Sequence, residues 1–336
     1  MEVSEYLSDD GLAMLALCSP LGLPRDSTDS AASPFTPSEW NKLARQIKSS
    51  SLGSPSALQG RDSAGIASEL SLSAGEAERI VALLSRSGRL ALEVENWFSR
   101  GIWVVSRSDT LYPARLKTNL KHLAPPVLFG SGEIRLLDRG GLAVVGSRNI
   151  DPPGAAFGME LGRRAAREQI QVISGGARGT DRLAMTGALE VGGIALGVLA
   201  EGLERTIRQA DLRQQLLARQ LVLLSPYIPT AGFTVGNAMG RNKLIYALAD
   251  FAVVVSSEHE TGGTWAGAID ALKAGWCPVF VRESPGAPKG NRELAKLGAH
   301  PLPEGGLADA ESIAGWLRQH AKPRPKELDL FRNAAE

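Results

Sequence analysis

The sequence predicts an α/β fold, a doubly wound and mostly parallel sheet with a small N-terminal helical module. From Gly101 onward, short apolar runs rich in β-branched residues alternate with helical segments. Continuous apolar strands separated by helices are typical of a parallel sheet that is buried on both faces. Since crossovers between such strands are right-handed, the alternation favours a doubly wound arrangement. Residues 1–98 lack the strand pattern and predict helices instead.

The N-terminal module is predicted over residues 1–98. DDGLAMLALCS (9–19) and TPSEWNKLARQIKSS (36–50) have helical spacing, and in the second Thr36 precedes Glu39 by three residues, as in a capping box. The segment 73–101 continues the helical pattern, and the Ser-rich stretch 49–63 is predicted as a loop. Nothing here suggests chemistry, so we interpret it as a small helical module.

The α/β domain is predicted over residues 99–305, followed by a C-terminal helix and tail over 306–336. Seven apolar runs predict its strands: GIWVVSR (101–107), LAVVGSR (142–148), QVISGG (171–176), IALGVLA (194–200), LVLLSPY (221–227), FAVVVSS (251–257) and CPVFVRE (277–283). The segments between most of these runs have helical spacing, as the doubly wound arrangement requires.

Composition and charge narrow the class of protein. The 336 residues are 43% hydrophobic and 22% charged, with a net charge of +1. No apolar run approaches the roughly 18 residues of a membrane helix. Cys18 and Cys277 are too far apart in sequence to suggest a disulfide framework or metal clip, so we expect a cytoplasmic protein without a membrane segment. Residues 1–98 hold eight basic and thirteen acidic side chains, whereas the remainder holds 29 and 23, so an anionic ligand belongs with the second part.

Ligands of doubly wound sheets bind beyond the carboxyl ends of the strands. The first such junction is VVGSRNIDPPG (144–154), where Gly146 allows a tight exit, Ser147 can donate to an anion and Arg148 projects. The second is VISGGARGTDRLAM (172–185), in which Thr180 and Asp181 are predicted to cap the next helix. Helix N-termini stabilise anions, and glycines let a ligand approach the backbone closely. The alternative for both junctions is a plain turn. The candidate residues of the second are Ser174, Gly175, Gly176, Arg178 and Gly179.

Two further junctions have the same character. In GFTVGNAMGRNKLIYALAD (232–250), Arg241, Asn242 and Lys243 are predicted at the start of a helix, where two cations and an amide suit a phosphate or a sugar-phosphate backbone. In SSEHETGGTWAGAIDALKAG (256–275), glycines and hydroxyls open a helix after an apolar strand. A solvated charge run is the alternative for the former. The candidates in the latter are Gly262, Gly263 and Thr264.

Several motifs are absent from the sequence. It contains no GxxxxGK[ST], no GxGxxG, no GxSxG elbow and no HExxH or cysteine–histidine metal set. Four scattered histidines add no constellation, and His259 between Glu258 and Glu260 is interpreted as a surface residue. We therefore expect a site that holds an anion, with no catalytic residues, no metal and no cofactor.

Taken together and in order, these motifs resemble the DprA/Smf family of DNA-processing proteins. The resemblance rests on DTLYPARL (109–116), PPVLFGSG (125–132), the four junctions above and their spacing, over about residues 101–300. It implies an extended Rossmann-like fold that binds single-stranded DNA, forms homodimers and helps to load the RecA recombinase. The family is not known for catalysis.

The resemblance also implies roles for the candidate residues. Those of the first two junctions, among them Ser147, Arg148, Ser174, Gly175, Arg178 and Gly179, would contact the DNA backbone, and Arg241, Asn242 and Lys243 would complete a basic pocket. The chain departs from the family pattern at Lys243, where an arginine is usual, at Ser256, where an acid is common, and at Gly262–Gly263, where SG is usual. The exit VFVRESPG also differs, and we expect no winged-helix module after the helix of 306–336.

The leading hypothesis is a DNA-binding accessory protein that protects single-stranded DNA and loads RecA during recombination and DNA uptake. One alternative is a regulatory partner of a toxin or another bacterial defence protein. Another is a nucleotide-binding or nucleotide-cleaving protein that uses the acids Glu258, Glu260 and Asp270. Few aromatic residues lie near these junctions, so we expect base stacking to contribute little. They are Phe233, Tyr246 and Trp265.

Overall fold

The computed structural model describes residues 2–23, 33–308 and 310–321. Its helices are α1 (Val3–Tyr6), α2 (Asp9–Cys18), α3 (Pro37–Ser49), α4 (Ser63–Leu70), α5 (Ala74–Leu84), α6 (Ser87–Ser99), α7 (Ala114–Leu120), α8 (Pro152–Arg167), α9 (Thr180–Glu190), α10 (Leu203–Thr206), α11 (Ala210–Leu217), α12 (Val235–Leu248), α13 (Gly262–Ala274), α14 (Lys289–Lys296) and α15 (Ile313–His320). Its strands are β1 (Trp103–Ser106), β2 (Val127–Ser131), β3 (Leu142–Gly146), β4 (Val172–Ser174), β5 (Ala195–Val198), β6 (Leu221–Ser225), β7 (Phe251–Ser256), β8 (Val279–Glu283) and β9 (His300–Pro303).

The chain folds as two compact units, each discontinuous in sequence. The first comprises Met1–Arg135, Glu201–Ala210 and Leu223–Phe233, and the second comprises Leu136–Ala200, Asp211–Val222 and Thr234–Glu336. Within the described ranges, none of the helices has both the length and the apolar character that a membrane crossing requires.

The second unit contains the parallel part of the sheet. Its strands lie in the order β6-β5-β4-β3-β7-β8-β9. Only the first two residues of β6 belong to this unit. β3 lies at the centre and pairs in parallel with β4 on one side and β7 on the other, with Ala143 opposite both Ile173 and Ala252. All residues of β4 and the first four of β3 are buried, as expected for strands covered on both faces. Because β3, β4 and β7 are parallel neighbours, their carboxyl ends lie at one edge.

The first unit contains the antiparallel part and most of the N-terminal helices. β1 pairs with β2, which in turn pairs with the last residues of β6. The predicted capping box of α3 is confirmed, since Thr36 and Glu39 each accept a hydrogen bond from the other's backbone N–H. Asp109 of the DTLYPARL motif is buried and accepts hydrogen bonds from Ser8 and from the backbone N–H of Ser106.

The predicted mostly parallel α/β fold is confirmed, with two strands beyond the seven expected. β2 lies in the motif PPVLFGSG, and β9 contains Pro301 and Pro303. Prolines argue against an inner strand because they cannot donate to a sheet, but β9 is an edge strand and tolerates them.

The domain boundary predicted at residue 98 falls at the end of α6 and stays a prediction, as does the boundary at residue 305. Of the predicted C-terminal helix and tail, α15 is present, and residues 322–336 lie outside the described ranges.

Candidate functional site

The loops that follow β3 and β4 interlock. The carbonyl oxygen of Ser147 accepts hydrogen bonds from the backbone N–H of Thr180 at 3.3 Å and from its hydroxyl at 3.2 Å. Gly179 has a φ of +88° and lies against the carbonyls of Ser147 and Arg148, with which an added Cβ would overlap. A glycine is required here by both the backbone conformation and the close approach of the two loops.

Two predicted contact residues lie within this interlocked structure. Ser174 is fully buried, and its hydroxyl donates to the carbonyl of Val144 at 2.6 Å. A Cβ at Gly146 would overlap the side chain of Thr180. The expectation that Ser174 contacts DNA directly is therefore not supported by this geometry, since its hydroxyl bonds inward and has no exposed surface.

Asp181 lies at the centre of the interlocked loops and is 7% exposed. Its carboxylate accepts a hydrogen bond from the backbone N–H of Gly175 at 3.1 Å, and the backbone N–H groups of Gly146 and Ala177 also act to lower its pKa. Burial raises the pKa of this carboxyl, and the nearby guanidinium of Arg241 acts in the opposite direction. The prediction that Thr180 and Asp181 cap α9 was wrong, because the N-cap is Gly179 and no side chain caps it.

α12 begins two turns earlier than the sequence indicated. Thr234 caps it by accepting from the N–H of Asn237, so that the helix starts at Val235 and Arg241 lies in its interior. Arg241 is only 5% exposed and donates from Nη2 to the carbonyl of Gly175 at 2.9 Å. The expectation that Arg241 is an open cation at a helix N-terminus was therefore wrong. It ties α12 to the exit of β4.

The two residues after Arg241 differ from it, and from each other, in their hydrogen bonds. The side-chain amide of Asn242 donates to the carbonyl of Gly263 at 2.9 Å, which ties α12 to the start of α13. Lys243 is half-buried and makes no hydrogen bond or ion pair with any described residue. Burial lowers the pKa of its ammonium, and no carboxylate offsets that cost.

The fourth junction leads into α13. Thr261 occupies the N-cap position, but its side chain makes no capping hydrogen bond. Gly262 has a φ of +80° and open space where a Cβ would lie, and Gly263 and Thr264 are half-buried. Trp265 is half-buried with its ring centroid 5.1 Å from that of His259.

The other aromatic and acidic candidates differ in their exposure. Tyr246 is buried, which raises the pKa of its hydroxyl and leaves its ring unavailable for stacking on a base. Phe233 is 47% exposed and belongs to the first unit. Glu258, Glu260 and Asp270 are all exposed.

Three exposed arginines surround the interlocked loops. Arg148 follows β3, and Arg178 donates to the side-chain oxygen of Asn149 at 3.3 Å, which joins the two exits. Arg182, in the first turn of α9, was missed by the sequence analysis and forms no hydrogen bond or ion pair with the described residues. Its spacing of four residues from Arg178 was the available signal. A cation in the first turn is disfavoured by the helix dipole, and a bound anion relieves that cost.

These elements form one surface, which we call the carboxyl rim: residues 146–149, 174–182, 241–243 and 261–264. Parallel pairing aligns the exits of β3, β4 and β7, and Arg241 and Asn242 tie α12 to two of them. Among the described residues, no group of three or more metal-binding side chains occurs. The arrangement is suited to binding an anion through exposed or half-buried cations.

Comparison with known proteins supports the earlier resemblance. Residues 103–307 match the family model for DNA recombination-mediator protein A. Protein Smf of Escherichia coli K12 is 32% identical over 165 residues, which is 47% of this chain and 42% of that protein. The chain spans about half the length of the curated relatives it matches.

Two solved structures share the fold. The X-ray structure of DNA processing protein A from Streptococcus pneumoniae has a TM-score of 0.59 and 20% identity, covering 86% of this chain and 99% of that one. A structure of DNA processing protein A from Helicobacter pylori, described for its single-stranded DNA binding mode, has a TM-score of 0.52 and 22% identity, covering 65% of this chain and 94% of that one. At these identities the likeness concerns the fold. Since the family model covers more than half of the sequence, the chain belongs to the DprA/Smf family of DNA-processing proteins.

Proposed function

We propose that this chain binds single-stranded DNA by its phosphates along the carboxyl rim. The observation that carries the proposal is Lys243, a half-buried ammonium with no anionic partner among the described residues and a lowered pKa. A phosphate beside this ammonium would offset the free-energy cost of burying its charge. Arg178 and Arg182 add charge at the neighbouring exit, where their described contacts include no carboxylate.

The polymer, rather than a nucleotide, is favoured because the cations of the rim belong to separate elements. Lys243 lies on α12, Arg148 follows β3 and Arg178 follows β4. The single-stranded DNA binding described for the Helicobacter pylori relative supports the same ligand class. We extend the proposal to the finer role expected of the family, in which a homodimer protects single-stranded DNA and loads RecA during recombination.

Fluorescence anisotropy with a labelled single strand tests the binding. For three phosphate contacts, raising the salt from about 50 mM to about 200 mM should weaken binding roughly 20-fold, because neutralised phosphates release their counterions. Lys243→Ala should weaken binding by about 10-fold and reduce the salt slope by about 0.7. A duplex of the same sequence provides the comparison ligand.

The matched control is Arg167→Ala, at the C-terminal end of α8 and hence at the opposite edge of the parallel strands. Arg167 is exposed and pairs with Glu160 at 3.2 Å, an interaction that contributes little at a surface. The control should bind as tightly as the parent protein. Salt-independent binding, or equal losses in the two variants, would overturn the proposal. Addition of RecA to the preformed complex then tests the finer role, which predicts faster growth of RecA filaments.

A further inference from the structure

The backbone N–H groups at the exits of β3 and β4 converge on a carboxylate of the protein itself. Gly146 belongs to the first exit, and Gly175 and Ala177 belong to the second. The N–H of Gly175 donates to Asp181 at 3.1 Å, and the N–H groups of Gly146 and Ala177 act on the same carboxyl by lowering its pKa. A concave set of N–H groups next to a helix N-terminus is the type of environment in which proteins hold phosphate. Here that position is already filled by an anion from the first turn of α9.

Arg241 supplies the opposite charge from another element. Its guanidinium donates to the carbonyl of Gly175, whose N–H is bound to Asp181. A Cβ at Gly175 would overlap both side chains, so the glycine allows the pair to close around the backbone. Both side chains are almost fully buried, at 7% exposure for Asp181 and 5% for Arg241.

We propose that Asp181 is a built-in anion that occupies the place of a phosphate and, with Arg241, acts as a positioning pair for the carboxyl rim. One carboxylate thereby fixes three parts of the rim: the exit of β3, the exit of β4 and, through Arg241, α12 with Lys243. The DNA phosphates are consequently held by side chains on the outside of the loops and not by the backbone N–H groups within. The part of this inference that concerns DNA rests on the proposed function.

The effect of removing the charge of Asp181 separates a positioning pair from a direct DNA contact. If Arg241 bound a phosphate directly, removing the charge of Asp181 would leave binding intact or strengthen it, since a competing anion would be gone. If the pair positions the rim, loss of either charge leaves the other buried without compensation, and both losses weaken binding. The signs of the two effects are opposite for Asp181.

The primary experiment uses Asp181→Ala in the full chain, with formate as a replacement for the missing carboxylate. The variant should bind single-stranded DNA at least about 10-fold more weakly than the parent in sodium chloride. Sodium formate at the same ionic strength should raise its melting temperature by several degrees and recover part of the affinity. The parent protein should show no difference between the two salts. Equal behaviour of the variant in formate and chloride, or parent-like affinity without formate, would overturn the proposal.

The second experiment does not depend on Asp181→Ala folding. Asp181→Asn, Arg241→Met and the double variant are compared for melting temperature and DNA affinity. The double variant should melt higher and bind more tightly than the weaker single variant, because no unpaired buried charge remains. Additive losses in both measurements would overturn the proposal. If the parent protein fails to bind DNA, the proposed function fails. The formate and melting measurements still decide whether the carboxylate of Asp181 occupies the place of a phosphate.

Discussion

Two glycine-rich junctions of similar sequence have opposite environments. At Gly175–Gly176 the chain is enclosed, and a Cβ on Gly175 would overlap Arg241 and Asp181. At Gly262 the chain is open, with nothing within 4 Å of the place where a Cβ would lie. A glycine pair between a strand and a helix therefore indicates either a closely packed interior or an open helix start, and sequence does not separate the two.

The same contrast holds for the helix that follows each junction. Before the start of α9, the N–H of Gly175 donates to Asp181, a carboxyl group of the protein itself. The start of α13 has no side-chain cap, and its described side-chain contact is Asn242 reaching the carbonyl of Gly263. The comparison indicates that an external phosphate has more access to α13 than to α9.

The largest expected effect distinguishes the two junctions by stability. Gly175→Ala should lower the free energy of unfolding by about 2–4 kcal/mol, because the methyl group overlaps the buried side chains of Arg241 and Asp181. Gly262→Ala should cost only about 1 kcal/mol, the strain of a positive φ, since space for the methyl group is available. Urea unfolding of both variants measures the difference. Equal losses would contradict the enclosed and open descriptions.

A smaller effect tests whether phosphate reaches α13. Thr264→Asp places a carboxylate in its first turn, where the helix dipole favours negative charge by about 0.5 kcal/mol. If the DNA phosphate lies there, the same change should weaken single-strand binding by about 10-fold through repulsion. Thermal unfolding and anisotropy on one sample should thus move in opposite directions. Thr264→Asn is the neutral control, and loss of binding in both variants would indicate a steric cause.

The sequence alone predicted the α/β class, the family and the four junctions, because strand-to-helix alternation and motif order are local patterns. It did not predict the direction of side chains. The sequence presents Arg241 as an available cation beside Lys243. It turns inward because it binds the carbonyl of Gly175, whose N–H donates to Asp181, sixty residues earlier in the chain. The start of α12 was misplaced for a local reason, since Gly236 and Gly240 argue against a helix that Thr234 nevertheless begins.

The next effect concerns the pH dependence of binding. Burial lowers the pKa of Lys243 from 10.5 in the DNA-free protein, whereas a bound phosphate raises it again. The contribution of Lys243 to affinity is therefore complete below the lowered pKa and is lost as the pH rises through it. Lys243→Arg stays charged at every pH used, so its affinity relative to the parent should increase by a few-fold between about pH 7 and about pH 10. A constant ratio would place Lys243 away from the phosphates.

The smallest effect belongs to Arg182, which extends the rim beyond the residues that the family motifs identify. It is exposed, contacts no carboxylate among the described residues and lies one turn from Arg178 on the side of the enclosed junction. Arg182→Ala should weaken single-strand binding only about threefold at low salt and lower the salt slope by about 0.7, as loss of one phosphate contact requires. Removing a cation from the first turn should also stabilise α9 by about 0.3 kcal/mol. Since the contacts of Asp181 do not involve this side chain, Arg182→Ala should weaken binding by the same factor in the Asp181→Asn background. A loss that disappears there would show that Arg182 acts through the enclosed junction and not through the DNA.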